Sequence, residues 1–175
     1  GHVDGSEHYV IPYDLNLRRL RSSAIRAADF ADAVAQLTPR RLLVVLDCCH
    51  AAGMAVKGAA AAPAPFSGAA LPAALFLPAG KSPGAGLPAG GEGCAVLSSC
   101  KPDESSWLRA DGRMSIFTFH LLEALTGHAQ PSGGAPEVLV SDLISYLQRH
   151  VPQSALAQHG ARQTPDPQLT GNFPV

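Results

Sequence analysis

The pattern of apolar and polar positions along the chain predicts two buried strands. Residues 42–46 form one uninterrupted apolar run, and residues 95–97, which precede Ser98, form a second, shorter one. Short apolar runs between polar or small residues are typical of strands that are covered on both faces of a sheet. Both runs are therefore predicted to be interior strands.

Apolar residues at helical spacing predict three helices. The first spans about residues 23–37, and the second spans about residues 115–125 and ends at Gly127. The third is capped by Ser141 and closed by Pro152. The residues expected to face the core are Ala27, Phe30, Val34 and Leu37 in the first helix, Phe117, Leu121 and either Ala124 or Leu125 in the second, and Leu143, Ile144 and Leu147 in the third.

The remaining segments are less regular. Residues 9–11 are a short strand candidate, and the polar, proline-containing residues 163–175 predict a tail that extends across the surface. Residues 55–93 are dominated by Ala, Pro and Gly, which predicts a long linker. A helix, a short turn and an apolar strand form a unit of a parallel sheet, so the element order favours a three-layer α/β/α domain with a central, mostly parallel sheet.

Composition narrows the classes of function. A chain of 175 residues fits one domain, and a net charge of −1 favours neither a nucleic-acid nor a membrane partner. No apolar run approaches the roughly 20 residues that span a bilayer, and no secretory signal is visible. The four cysteines form no obvious pair, which predicts reduced thiols and a cytoplasmic location. A start at Gly1, without Met, suggests a piece of a longer protein.

The first apolar strand ends in Asp-Cys-Cys-His at residues 47–50. Open α/β sheets place their chemistry at the carboxyl ends of their strands. A cysteine attacks as its thiolate, and because its ordinary pKa is about 8.5 it needs a nearby base, usually a histidine. His50 is expected to point away from Cys49, since neighbouring side chains on a strand diverge. His2 is the better partner and His8 the fallback.

These residues resemble the motifs of the caspase-like cysteine peptidases of clan CD (peptidase family C14), in particular the bacterial metacaspase and orthocaspase branch. Residues 47–52 are similar to its nucleophile motif Asp-x-Cys-His-Ser-Gly, and residues 1–3 to its histidine motif Ser-Gly-His-Gly. His2 precedes Cys49 by 47 positions, close to the roughly 50 of the caspase-type pair. Further similar blocks are residues 9–14, residues 99–106, the Phe-Thr-x-x-Leu-Leu-Glu-x-Leu helix at residues 117–125, and the ending at residues 172–174.

The resemblance implies a role for each site residue. Cys49 would be the nucleophile, and His2 would be the general base and acid. The backbone N–H groups of Cys49 and Val3 would stabilise the oxyanion. Asp47, with Asp103 as a second acid, would lie in the S1 pocket, which implies cleavage after Arg or Lys.

The resemblance also implies an organisation of the chain as a single peptidase domain. It divides the chain into residues 1–54 (the end of a large-subunit part), residues 55–93 (the linker) and residues 94–175 (a small-subunit part). The strand and helices expected before Gly1 are missing, so the domain is expected to begin upstream. Lys57 and Lys81 in the linker are candidate self-cleavage sites. The implied partners are a peptide or protein substrate and sensor or effector domains fused in the parent protein.

Departures from the family pattern keep other functions open. Ala51 and Ala52 replace the serine and glycine of the nucleophile motif, and Val3 replaces a glycine. One alternative is therefore a catalytically inactive regulatory or scaffold module; another is a different thiol enzyme, such as an acyltransferase or a redox protein, although no Cys-x-x-C pair is present. No metal or cofactor is expected, and calcium activation is disfavoured because residues 54–57 lack the acidic side chains that several metacaspases use.

Overall fold

The computed structural model describes residues 2–4, 7–12, 14–16, 19–47, 92–101, 103–131, 134 and 136–175. Along the chain, the elements are β1 (His2–Asp4), β2 (Glu7–Val10), α1 (Leu20–Ser23), β3 (Ile25–Arg26), α2 (Ala27–Ala35), β4 (Arg41–Leu46), β5 (Gly93–Ser98), α3 (Ile116–Glu123), a π-helical turn (Ala124–His128), α4 (Val140–His159) and β6 (Asp166–Thr170).

Among the described residues the strands form two three-stranded sheets. In the first, β1, β2 and β3 pair antiparallel. In the second, β5 lies between β4, which is parallel to it, and β6, which is antiparallel. Leu46 pairs with Ser98, so β4 and β5 end at the same edge. The fold is α/β, with one antiparallel and one mixed sheet among the described strands, and these strands show one parallel pairing rather than a mostly parallel sheet.

Strand β5 is the centre of the core. Successive residues of a strand point to opposite faces, and the two faces of β5 pack against different helices. Leu97 packs with residues of α3 and α4, whereas Val96 packs with Ala27 and Phe30 of α2. The prediction of an interior strand is thus confirmed for β5. Strand β4 is less buried than predicted, because Val45 is 39% exposed.

The first two predicted helices need correction at their ends. Helix α2 begins at Ala27 rather than at residue 23, because residues 20–26 form α1 and β3. Leu37 was expected in the core, but it lies beyond the end of α2 and is 51% exposed. In the second helix, Ala124 faces the core and Leu125 is exposed, which resolves the alternative left by the sequence.

The prediction for the third helix was wrong at both ends. Helix α4 begins at Val140, where the Asp142 carboxylate, rather than the Ser141 hydroxyl, accepts the Leu139 N–H at 2.9 Å. The helix continues through Pro152 to His159. Its buried face repeats every four residues at Leu147, Val151 and Ala155, which lie on either side of the proline. Burial of this continuous face outweighs the roughly 3 kcal/mol cost of an internal proline.

The C-terminal residues 163–175 do not extend across the surface as predicted. Residues 166–170 form β6, which pairs with β5, and Gln163 and Phe173 are buried. Pro167 is compatible with this strand because, among the described strands, β6 lies at the edge of its sheet. The tail therefore completes the sheet and part of the core.

Gly93, which the sequence analysis assigned to the linker, is the first residue of β5 and lies in close contact with Phe173. A Cβ atom at this position would be 2.4 Å from Phe173 Cδ1 and 3.0 Å from the Thr170 carbonyl oxygen. We therefore expect Gly93→Ala to lower the free energy of unfolding by about 1–3 kcal/mol. Thermal unfolding measures the effect, and Phe173→Leu in the Gly93→Ala background should recover part of it. Equal stability of Gly93→Ala and the wild type would contradict this packing.

Candidate functional site

The carboxyl edge of β4 and β5 carries an anchored carboxylate. Asp47 directly follows β4, and the Ser99 N–H donates to the Leu46 carbonyl oxygen at 3.0 Å, which holds the two strand ends together. The Asp47 carboxylate accepts hydrogen bonds from Ser106 Oγ (3.2 Å to Oδ1), Thr118 Oγ1 (2.5 Å to Oδ2) and Ser115 Oγ. Three hydroxyls from distant parts of the sequence thus fix its orientation.

Two of these hydroxyls belong to the start of α3. Ser115 is the N-cap of the helix, and its Oγ also accepts the Thr118 N–H at 2.9 Å. The N-terminus of a helix carries a partial positive charge that stabilises a nearby carboxylate. The hydroxyls and the helix end therefore hold Asp47 in place without cancelling its negative charge. Asp47 thus lies at the carboxyl edge of the sheet, and its assignment to an S1 pocket stays a prediction.

The loop after β5, which contributes the Ser106 hydroxyl to this carboxylate, also lines a polar cavity. Ser106, which donates to Asp47, lies in this loop, and an open cavity of about 230 Å³ is lined by Asp103, Glu104, Ser105, Trp107 and Arg162. Asp103 lines this cavity, but Asp47 does not, so the assignment of both residues to one S1 pocket stays a prediction. The Trp107 ring stacks on His159 with centroids 4.8 Å apart.

The structure describes the two histidine candidates only in part. His2 lies in β1 opposite Tyr9, and Val3 lies opposite His8. The Nδ1 atom of His8 is buried and has no hydrogen-bond partner among the residues that the structure describes. Cys48, Cys49 and His50, and the candidate cleavage sites Lys57 and Lys81, lie outside the described residues. The pairing of Cys49 with His2 stays a prediction.

Two other cysteines are poor nucleophiles. Burial raises the pKa of the Cys100 thiol to about 11, and burial also raises the pKa of Cys94. The Cys100 thiol donates to the Glu104 carbonyl oxygen at 3.4 Å. At neutral pH both side chains are therefore thiols rather than thiolates.

Sequence reasoning missed Gln163, which organises the loop after β5. This side chain is 0% exposed and contacts the loop at Ser99, Ser106 and Trp107. It was assigned to a surface tail because the neighbouring residues are polar. The local pattern gives no signal for this role, because the partners of Gln163 lie 56 to 64 positions earlier in the sequence.

A second polar cluster joins α3 to α4, outside the carboxyl edge. His120 is 7% exposed; its Nδ1 is 2.7 Å from Glu123 Oε2, and its Nε2 is 2.7 Å from Ser154 Oγ. Tyr146 donates its hydroxyl to the same Glu123 oxygen at 3.2 Å. The His150 ring stacks on Tyr146. Serine, histidine and glutamate are thus linked in series, but all of them lie on helices, and none of them lines the cavity formed by the loop after β5. The cluster fixes the two helices to each other.

This cluster makes stability depend on pH. Burial keeps the pKa of His120 below 6.5, with Glu123 acting in the opposite direction and His150 and Arg109 adding to the decrease. The unfolded chain therefore takes up a proton at a higher pH than the folded chain, and stability is lost as pH falls below about 6.5. We expect His120→Gln to weaken this dependence. Melting temperatures of both proteins between pH 7.5 and 5 test it, and parallel curves would show that His120 is not responsible.

No cluster of three or more His, Cys, Asp or Glu side chains that could hold a metal ion occurs in the part of the chain that the structure describes. None of the helices within the described ranges is long and apolar enough to cross a membrane.

Comparison with known proteins identifies the family. A search of curated proteins and a search of solved structures found no match. A family model described as the caspase domain matches residues 1–172, nearly the whole chain. The match includes the strand end that carries Asp47 and the segment that contributes Gln163. This chain therefore belongs to the caspase domain family of cysteine peptidases.

Proposed function

We propose that this protein is a cysteine endopeptidase of the metacaspase type that cleaves peptide bonds after Arg or Lys. The family supports a cysteine peptidase in general. The observation that carries the finer proposal is the Asp47 carboxylate, which is held by hydroxyls at the carboxyl edge of β4, two residues before Cys49. A fixed negative charge beside the nucleophile favours a substrate with a cationic side chain at the P1 position.

In the proposed mechanism, His2 takes the proton of Cys49, and the thiolate attacks the carbonyl carbon of the scissile bond. The backbone N–H groups of Cys49 and Val3 donate to the oxyanion that forms. His2 then protonates the leaving amine, which gives a thioester on Cys49. A water molecule, deprotonated by His2, hydrolyses the thioester and releases the new carboxylate.

Specificity in this proposal comes from two acidic residues. Asp47 binds the guanidinium or ammonium group of P1, and Asp103 adds negative charge in the neighbouring cavity. No cofactor is proposed. The proposed partners are a peptide or protein substrate and further domains of the parent protein. Lys57 and Lys81 are proposed self-cleavage sites, because both carry the favoured P1 side chain.

The proposed architecture is a three-layer caspase-like sandwich. Its support is the packing of β5, where Val96 contacts α2 on one face and Leu97 contacts α3 and α4 on the other. We propose a cytoplasmic location, since a catalytic thiol must stay reduced.

Fluorogenic peptides with Arg, Lys or Asp at P1 test the function on the full-length parent protein, with and without calcium. We expect cleavage after Arg and Lys, none after Asp, and none by the Cys49→Ala variant. Cleavage after Asp would refute the role of Asp47 in P1 recognition but would still support the proposed peptidase activity. The absence of cleavage with every peptide would overturn the proposal.

The alternative is a catalytically inactive regulatory or scaffold module, and the observation in its favour is Ala51 and Ala52 in the nucleophile motif. A thiolate-directed probe at neutral pH separates the two. An active peptidase labels selectively at Cys49, whereas an inactive relative shows no selective label there. Cys94 and Cys100 should contribute little background, because burial raises the pKa of both thiols.

A further inference from the structure

The buried amide of Gln163 fixes the loop that carries Ser106. Its Nε2 donates to the Ser99 carbonyl oxygen at 3.0 Å and to Ser106 Oγ at 3.2 Å. Its Oε1 accepts the Trp107 N–H at 3.0 Å. A fully buried amide is costly unless its hydrogen bonds are made, so these contacts bind the segment between α4 and β6 to the loop after β5.

One of these contacts leads directly to Asp47. Ser106 has a single hydroxyl proton and two acceptor lone pairs. Because Gln163 donates to Ser106 Oγ, the Ser106 proton is directed to Asp47 Oδ1, 3.2 Å away. Gln163 thus controls one donor of the Asp47 carboxylate without touching it.

We propose that Gln163 is a positioning residue for P1 recognition, acting through Ser106 on Asp47. This inference rests on the proposed function, in which Asp47 binds the P1 cation. A purely structural Gln163 would change stability but leave the preference for a cationic P1 side chain unchanged. The preference therefore distinguishes the two roles, while a change in melting temperature alone does not.

The test compares kcat/KM for a P1-arginine peptide with kcat/KM for its uncharged citrulline analogue, using the full-length parent protein. Gln163→Met keeps the approximate size of the side chain and removes both its Nε2 donor and its Oε1 acceptor. We expect the arginine-to-citrulline ratio to fall about tenfold, as for a lost hydrogen bond to a charged group. Ser106→Ala should lower the ratio similarly. The double variant should lower it no further, because both changes break the same path.

Gln158→Met is the matched control. The Oε1 of Gln158 accepts the Ala110 N–H at 2.8 Å, so this glutamine also holds the loop after β5, but none of its described bonds reaches Ser106. The arginine-to-citrulline ratio of this variant should equal that of the wild type.

An unchanged ratio in Gln163→Met, or additive effects in the double variant, would overturn the inference while the peptidase activity stands. A wild type without preference for arginine would instead refute the proposed function. If Gln163→Met does not fold, the Ser106→Ala variant tests the inference by itself. An unchanged arginine-to-citrulline ratio in that variant would overturn the inference.

Discussion

Asp47→Asn is expected to lower kcat/KM for P1-arginine peptides by about 100-fold or more, because the variant loses the charge that pairs with the P1 cation. Cleavage of a P1-citrulline peptide should change much less, since that substrate brings no charge to the pocket. Asparagine keeps the shape of the side chain. Its oxygen can accept from Ser115 and Thr118, and its amide N–H can donate to Ser106 Oγ, which has a second lone pair, so the fold should be retained. Steady-state kinetics with the paired peptides measure the difference.

A second substitution at the same position separates binding from stability. Asp47→Ala leaves three hydroxyls without their acceptor, and we expect it to lower the free energy of unfolding by about 3 kcal/mol. Asp142→Asn is a suitable control, because Asp142 is a buried carboxylate that accepts the Leu139 N–H at the start of α4. This control should lower stability without changing the P1 preference. If Asp47→Asn also leaves the preference unchanged, Asp47 is only a structural link between β4 and α3.

Local patterns in the sequence were sufficient for β5 and for part of the helices. Residues 95–97 form an apolar run, and β5 is indeed buried on both faces. The pattern failed where long-range burial decides the structure. Pro152 was interpreted as a stop signal, but α4 continues because Val151 and Ala155 extend its buried face. The tail was interpreted as exposed, although Phe173 fills the space left by Gly93.

The candidate site likewise combines features that local sequence patterns predict with features that depend on long-range contacts. The position of Asp47 at a strand end follows from an apolar run and the polar residues after it, which are adjacent in the sequence. The hydroxyls that hold its carboxylate come from residues 59 to 71 positions later, and such contacts leave no periodic signal. Gln163 is similar, because its three bonds reach back 56 to 64 positions. The sequence alone thus predicts the negative charge at the site but not the hydrogen bonds that orient the Asp47 carboxylate.

Cys49→Ala is expected to abolish the peptidase activity, with a loss of about 10³-fold or more in kcat, because no acyl-enzyme can form without the thiol. Cys48→Ala is the matched control: it removes the neighbouring thiol, whose side chain is predicted to point to the opposite face of the strand, and it should retain most of the activity.

The same two variants can be compared by alkylation at neutral pH, where a thiolate reacts faster than a thiol. The fast phase should be lost in Cys49→Ala and kept in Cys48→Ala. Equal losses of activity in both variants would show that the two cysteines act only through the structure. Activity that persists in Cys49→Ala would move the nucleophile elsewhere, and the raised pKa values make Cys94 and Cys100 poor candidates for that role.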